Sequence, residues 1–277
     1  YGFEYPSEVQ KKGIVAVING QDTIVQAQSG TGKTATFSIS LLSKIGDEKS
    51  IQGVIISPTR ELATQSFKVI NSIGHYTDIS ISLCIGGESV ITNIENIKNK
   101  NPQIIVATPG RMLDLIEKRG LSTSDIKTLI VDEADELLSR GFKDQMYQIL
   151  QKMPESLNIS LFSATIPSEM FEVSNKFMRN PIEILVKSEQ LTLEGIRQYY
   201  IALDSDDNKY DALKDLYKMI SMSQCIIYCN SVKRVQDLYD AMIADDENRE
   251  SWITRNASFM ILVLATAWLL ATIGGIL

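Results

Sequence analysis

Histidine is nearly absent from this chain of 277 residues, which holds only His75. One imidazole excludes a zinc site built from several histidines, and it leaves hydrolysis by a serine, histidine and aspartate set as a remote option. His75 lies between Gly74 and Tyr76, where a helix is expected to end, and we expect it at the surface. Cysteine is also scarce: Cys84, Cys225 and Cys229 show no CxxC spacing, so paired-thiol metal and redox motifs are excluded. Cys225 and Cys229 sit in an apolar run and read as core thiols of a reducing compartment. Positive charge is not in excess, since 27 Lys and Arg face 34 Asp and Glu for a net charge of -7. Such a chain does not coat nucleic acid by bulk charge, although a local basic groove stays open to it. No signal peptide is visible, and Tyr1 opens inside what reads as a motif, so we expect residues to precede it.

What is present begins with Ala27-Gln28-Ser29-Gly30-Thr31-Gly32-Lys33-Thr34. The apolar run Thr23 to Val25 before it reads as a buried strand. Thr36 to Leu42 after it reads as a core helix or another strand. A strand, a glycine-bearing turn and Gly-Lys-Thr opening a helix form the setting of a phosphate-binding loop. Gly30 and Gly32 let the backbone curl with its N–H groups inward, and the helix N-terminus adds its positive dipole end. Lys33 can reach outer phosphates, and the Thr34 hydroxyl can ligate Mg²⁺. The strict pattern has glycine where this chain has Ala27.

Upstream, Pro6 and Ser7 start a helix with Ser7 as its N-cap. Gln10, just ahead of the loop, can offer an amide donor and acceptor to the Watson–Crick edge of adenine. Downstream the pattern alternates. Strands are expected at 53–57, 79–85, 103–107, 128–131, 158–162 and 182–186, with helices at 58–73, 90–99, 112–118 and 167–178. This rhythm predicts an α/β fold with a doubly wound parallel sheet, and the polar motifs all follow strands, where such sheets bind ligands. One of them, Asp132-Glu133 after the apolar run 128–131, fits the acidic half of a nucleoside-triphosphatase site. The first acid can hold Mg²⁺ through water and the second can accept a proton from attacking water.

Together the motifs name a family. Asp132 to Asp135 spells DEAD. With AQSGTGKT at 27–34, PTRELA at 58–63, GG at 86–87, TPGR at 108–111 and SAT at 163–165, the chain resembles the DEAD-box ATP-dependent RNA helicases. GFEYPSEVQ at 2–10 is similar to their Q motif, and the resemblance runs over about residues 1–246. The wording of 195–230 resembles most the eukaryotic initiation factor 4A group, including its exon-junction and ribosome-biogenesis relatives.

The resemblance implies a RecA-like P-loop domain, ATP and Mg²⁺ as its ligands, and RNA held by the sugar-phosphate backbone without sequence preference. It also implies protein partners in translation initiation or RNA processing, and a cytoplasmic or nuclear location. Tyr5 and Gln10 would contact adenine. Ser29, Gly30, Thr31, Gly32, Lys33 and Thr34 would hold phosphates, with Thr34 and Asp132 at the metal. Glu133 would be the general base, with Asp132 and Lys33 as its catalytic partners. Asp135, Ser163 and Thr165 would couple nucleotide state to RNA. Pro58, Thr59, Arg60, Gly86, Gly87, Thr108, Pro109, Gly110 and Arg111 would line the RNA. Taken singly, Arg60 or Arg111 could equally form a surface salt bridge on its helix.

The family pattern also breaks. Residues 1–186 read as the ATP-binding domain, 187–196 as a linker and 197–246 as the start of a second RecA-like domain. In that second part, strands are expected at 196–203 and 224–229, with helices at 208–220 and 232–244. No ARGxD-like or HRxGRxGR-like segment follows. The family carries its arginine fingers there, so little RNA-stimulated ATP hydrolysis is expected of these 277 residues. Residues 247–277 depart from the family, and Ala257 to Leu277 carries no charge. That run reaches the roughly 20 apolar residues that span a bilayer, with Trp252 and Arg255 where interfacial anchors belong. It fits a membrane tail anchor, and it fits foreign sequence joined by a frame change or a retained intron, which we favour. A buried core helix is the weakest reading of it. Two functions follow: a truncated DEAD-box ATPase that remodels RNA, or a non-catalytic ATP- and RNA-binding module, membrane-tethered if the tail is genuine. DEAD with SAT at this spacing argues against a P-loop motor.

Overall fold

The computed structural model describes residues 2, 4–28, 30–138, 141–185, 199–220 and 225–247. The chain divides into two compact units, Tyr1–Leu193 and Glu194–Leu277. The expected linker at 187–196 and the apolar run at 257–277 lie outside the described residues. Among the described residues, no helix is long and apolar enough to cross a membrane.

The first unit alternates strand and helix throughout. Its elements are α1 (Glu8–Ile18), β1 (Thr23–Gln26), α2 (Lys33–Lys44), β2 (Gly53–Ile56), α3 (Arg60–Ile73), β3 (Ile81–Cys84), α4 (Val90–Lys100), β4 (Ile104–Ala107) and α5 (Pro109–Glu117). They continue with β5 (Thr128–Asp132), α6 (Ala134–Leu138), α7 (Lys143–Gln151), β6 (Asn158–Ser163), α8 (Ser168–Phe177) and β7 (Ile182–Leu185). The strands form one seven-stranded sheet in the order β3-β4-β2-β5-β6-β1-β7, with every pair parallel. Thr36 to Leu42 is thereby helical, within α2.

Helices cover both faces, which is why the central strands read as unbroken apolar runs. Side chains alternate between the two layers along each strand. Val54, Ile56, Leu129, Val131 and Leu161 point to one layer, with Met112 and Leu115 of α5, Ile149 of α7 and Val173 of α8. Ile55, Ile130 and Phe162 point to the other, with Val17 of α1, Phe37 of α2 and Ile70 of α3. Each fully buried side chain of this size contributes about 1.5–3 kcal/mol. Phe37 and Phe162 meet edge to face at 5.3 Å between ring centroids, which pins α2 over β6. Helices α6 and α7 went unread in the sequence, although Met146, Ile149 and Leu150 of α7 carry the helical spacing of a buried face.

The second unit holds helices α9 (Lys209–Met219) and α10 (Val232–Glu247). They are joined by Tyr210, whose hydroxyl donates to Ala241 O and Asp245 Oδ2 at 3.0 Å each. Both strands expected there are corrected. Residues 199–203 and 225–229 form no strand, and Cys225 and Cys229 are half-buried rather than core thiols. A parallel strand is stable only with a hydrogen-bonded neighbour and cover on both faces. Among the described residues these runs have no strand partner, and Tyr199, Ile226 and Tyr228 stand exposed.

Candidate functional site

The motifs gather at the C-terminal edge of the sheet. β1 delivers the chain into the loop at 27–32. Ala27 is buried, and its N–H donates to Ser163 O on the neighbouring β6 at 2.9 Å. It is not among the residues with positive φ, so alanine meets the backbone geometry here without glycine's freedom. Gly30 and Gly32 do need that freedom, at φ +85° and +92°. Gly32 caps α2, and a Cβ there would run into the Gln10 amide. Ser29 lies outside the described residues.

The Q-motif residues brace this loop. Ser7 and Gln10 form a capping box on α1: Gln10 N donates to Ser7 Oγ at 3.3 Å, and Ser7 N donates to Gln10 Oε1 at 2.8 Å. Ser7 Oγ in turn donates to Thr31 O at 3.0 Å, which ties the cap to the loop. Tyr5 is 88% exposed.

Lys33 opens α2 and is buried, while Thr34 behind it is half-buried. Lys33 Nζ reaches across to Glu133, 3.2 Å from both carboxylate oxygens. Glu133 follows β5 in a left-handed conformation, φ +47°, which costs a non-glycine residue roughly 1–2 kcal/mol and turns its side chain toward the loop. Asp132, the last residue of β5, is 5% exposed. Its Oδ1 accepts from Glu133 N at 3.1 Å, and its Oδ2 faces the hydroxyls of Ser66 at 3.4 Å and Ser57 at 3.5 Å. These bonds are few and long for a buried carboxylate. Burial first, then the Glu133 charge, pushes its pKa up to about 6, against the opposing pull of Lys33.

Asp135 and the SAT turn meet because β5 and β6 are neighbours. Asp135 N donates to Ser163 Oγ at 3.2 Å, and Asp135 Oδ2 accepts from Thr165 N at 3.1 Å and Thr165 Oγ1 at 2.7 Å.

A second cluster forms at the ends of β2, β3 and β4. Pro58 is buried and Thr59 caps α3, its Oγ1 accepting from Leu62 N at 3.2 Å. Arg60 lies over the Gly86-Gly87 turn: a Cβ at either glycine would stand 3.0 Å from a terminal nitrogen of its guanidinium. Gly87, at φ +100°, also needs to be glycine for its backbone. Thr108 caps α5 without a side-chain bond, and Pro109 fills the first helical position, with Gly110 next. Arg111 is 7% exposed, which removes the surface salt bridge as its explanation. Its guanidinium donates through Nη2 to Glu88 O at 2.7 Å and through Nη1 to Asn93 Oδ1. Sequence reading missed Ser57, Ser66 and Asn93. The two serines carry no motif signal, because only the packing of α3 on the sheet brings Ser66 to Asp132.

A model of the DEAD/DEAH box helicase family matches residues 7–173. The ATP-dependent RNA helicase eIF4A of Phaeosphaeria nodorum is 50% identical over 247 residues, 89% of this chain and 62% of that relative. The chain therefore spans about 62% of the length of the curated relatives it matches. Saccharomyces cerevisiae Dbp5 bound to RNA and ADP BeF3 superposes with a TM-score of 0.76 at 28% identity, over 92% of this chain and 66% of that one. A DEAD box protein from Methanococcus jannaschii gives a TM-score of 0.65 at 33% identity, over 88% and 65% of the two chains.

Proposed function

This chain belongs to the DEAD/DEAH box helicase family, and on that basis we propose that it is an ATP-dependent RNA helicase module, binding ATP with Mg²⁺ at the first cluster and RNA at the second. The observation that carries the reading is the meeting of Lys33 with Glu133 beside the buried Asp132. A glycine loop, a cation and two strand-end acids within reach of one another suit a nucleoside triphosphate and its metal.

Each residue then has a task. The N–H groups at Gly30 to Thr34 donate to the phosphate oxygens, with Ser29 assigned to the same loop. Lys33 exchanges its Glu133 partner for the outer phosphates. Freed, Glu133 takes the proton of the attacking water. Asp132 and Thr34 suit Mg²⁺ because they are hard oxygen donors, and the under-bonded Asp132 carboxylate gains from a cation beside it. When bound, Mg²⁺ neutralises charge developing on the phosphates. Gln10 keeps one lone pair and its amide N–H groups for adenine, which offers a donor beside an acceptor. Guanine reverses that order on the same Watson–Crick edge, and the Ser7 N–H bond to Gln10 Oε1 keeps the amide from turning over to match it. Tyr5 is exposed and able to stack on the base. Thr165 and Ser163, through Asp135, link the nucleotide acids to the SAT turn.

RNA is assigned to Arg60 and to the backbone of Gly86, Gly87, Thr108, Pro109 and Gly110, with Pro58 and Thr59 shaping the Arg60 turn. Such contacts take sugar and phosphate and carry no base information. By likeness to the eIF4A relatives, we assign partners in translation initiation or RNA processing and a cytoplasmic or nuclear location. The test is titration of the chain with fluorescent ATP in Mg²⁺ and with labelled single-stranded RNA. Lys33→Ala should abolish most nucleotide binding and leave RNA binding measurable without nucleotide. Arg60→Ala should weaken RNA and reduce the salt slope by about 0.7. ATP affinity unchanged by Lys33→Ala would reject the reading.

A further inference from the structure

We propose that Arg111 and Asn93 are positioning residues: they clamp the Gly86-Gly87 turn in its RNA-accepting pose and do not themselves touch RNA. This rests on the RNA reading above and deepens it. The turn has little to hold it. It follows β3, an edge strand of the sheet, and its glycines have the widest backbone freedom of any residue. Backbone N–H groups meet phosphates productively only when they are held in place beforehand.

The clamp supplies that hold. Arg111 Nη2 grips the carbonyl of Glu88, the residue that follows the turn, at 2.7 Å. Arg111 Nη1 is taken by Asn93 Oδ1 in the first turns of α4. Asn93 Nδ2 closes the ring on Glu88 Oε2 at 3.1 Å. One planar guanidinium thus fixes the loop and α4 to α5, where the second RNA-facing turn begins. Arg60 then packs over the glycines so held, which makes Arg111, Glu88, the turn and Arg60 one contiguous unit. Asn93 is 2% exposed and uncharged, so it has no access to RNA. Each terminal nitrogen of Arg111 already has a partner within the fold, and the side chain is 7% exposed, so it presents little surface to a phosphate.

The experiment measures anisotropy of labelled oligouridine RNA with the whole chain at several salt concentrations, with nucleotide titration as the check of folding. Asn93→Ala should weaken RNA roughly tenfold while nucleotide affinity holds. Asn93→Asp keeps an acceptor for Arg111 but loses the donor to Glu88 and sets two carboxylates together, so it should recover only part of that loss. Arg111→Gln should weaken RNA with the salt slope unchanged, whereas a lost phosphate contact would lower the slope by about 0.7. Parent-like RNA affinity in Asn93→Ala, or a lowered slope in Arg111→Gln, overturns the proposal. If Asn93→Ala fails to fold, the Arg111→Gln slope decides. A parent chain that binds no RNA, or an Arg60→Ala variant with unchanged RNA affinity, rejects the underlying RNA reading instead and the clamp's purpose with it.

Discussion

Lys33 and Glu133, 100 positions apart in the chain, form a bidentate contact, with Nζ 3.2 Å from both carboxylate oxygens. On the proposed function, nucleotide phosphates compete with Glu133 for the Lys33 ammonium. Glu133→Gln should therefore bind ATP as tightly as the parent or a few-fold more tightly, while hydrolysis in a complete two-domain protein is lost. Calorimetric titration of the variant checks this, and clearly weaker ATP binding would mean that Glu133 helps to hold nucleotide rather than competing for Lys33.

Asp132 sets a pH dependence. Its carboxyl keeps a proton up to about pH 6 when folded, against an ordinary value of 3.8. Between those values the folded chain binds more protons than the unfolded one, so this group's contribution to stability falls as pH rises through the window. Asp132→Asn should stabilise the nucleotide-free chain at pH 7 by up to about 3 kcal/mol and flatten its pH dependence between about 4 and 6. Urea denaturation across pH measures both. In the parent, affinity for Mg²⁺-nucleotide should fall below about pH 6, since the metal must displace that proton.

Ser163 and Thr165 tie the SAT turn to Asp135. Thr165→Val removes a 2.7 Å bond to a carboxylate at an exposed position and should cost about 1 kcal/mol of stability. The larger effect should be on coupling. RNA affinity measured with and without nucleotide should differ less in Ser163→Ala than in the parent, since a coupling of this kind is typically 1–3 kcal/mol. Full coupling in that variant would leave the turn with a structural role only.

Gln10 serves both a helix cap and the loop. Gln10→Ala should cost about 1 kcal/mol through the lost cap, and it should relax the choice of ATP over GTP. Gly32→Ala forces a side chain to a φ of +92° and into the Gln10 amide, so it should lower both stability and ATP affinity. Equal affinity of the parent for ATP and GTP would remove adenine recognition from Gln10.

Much of the first unit was legible because each signal is local. Strands buried on both faces are apolar through their middle positions, as 54–56 and 129–131 are. Turns with φ near +90° favour glycine, as at Gly30 and Gly32. A helix start needs a cap, as at Ser7. Helices α6 and α7 escaped because the acids and turn residues around them mask the apolar spacing. The expected strands at 196–203 and 224–229 are absent over their described residues, 199–203 and 225–229, for a different reason. Composition favours extension there, but a parallel strand exists only beside another.

The sequence by itself determined the alternation of elements, the loop chemistry and the order of the motifs, since backbone geometry and hydrophobic spacing act over a few residues. Tertiary structure alone decided which side chains meet. It brought Lys33 to Glu133 and Ser66 to Asp132, and it turned Arg111 inward onto Asn93. Those pairings depend on strand order and on helix packing over long separations, where burial and the need to satisfy buried charge select the partner.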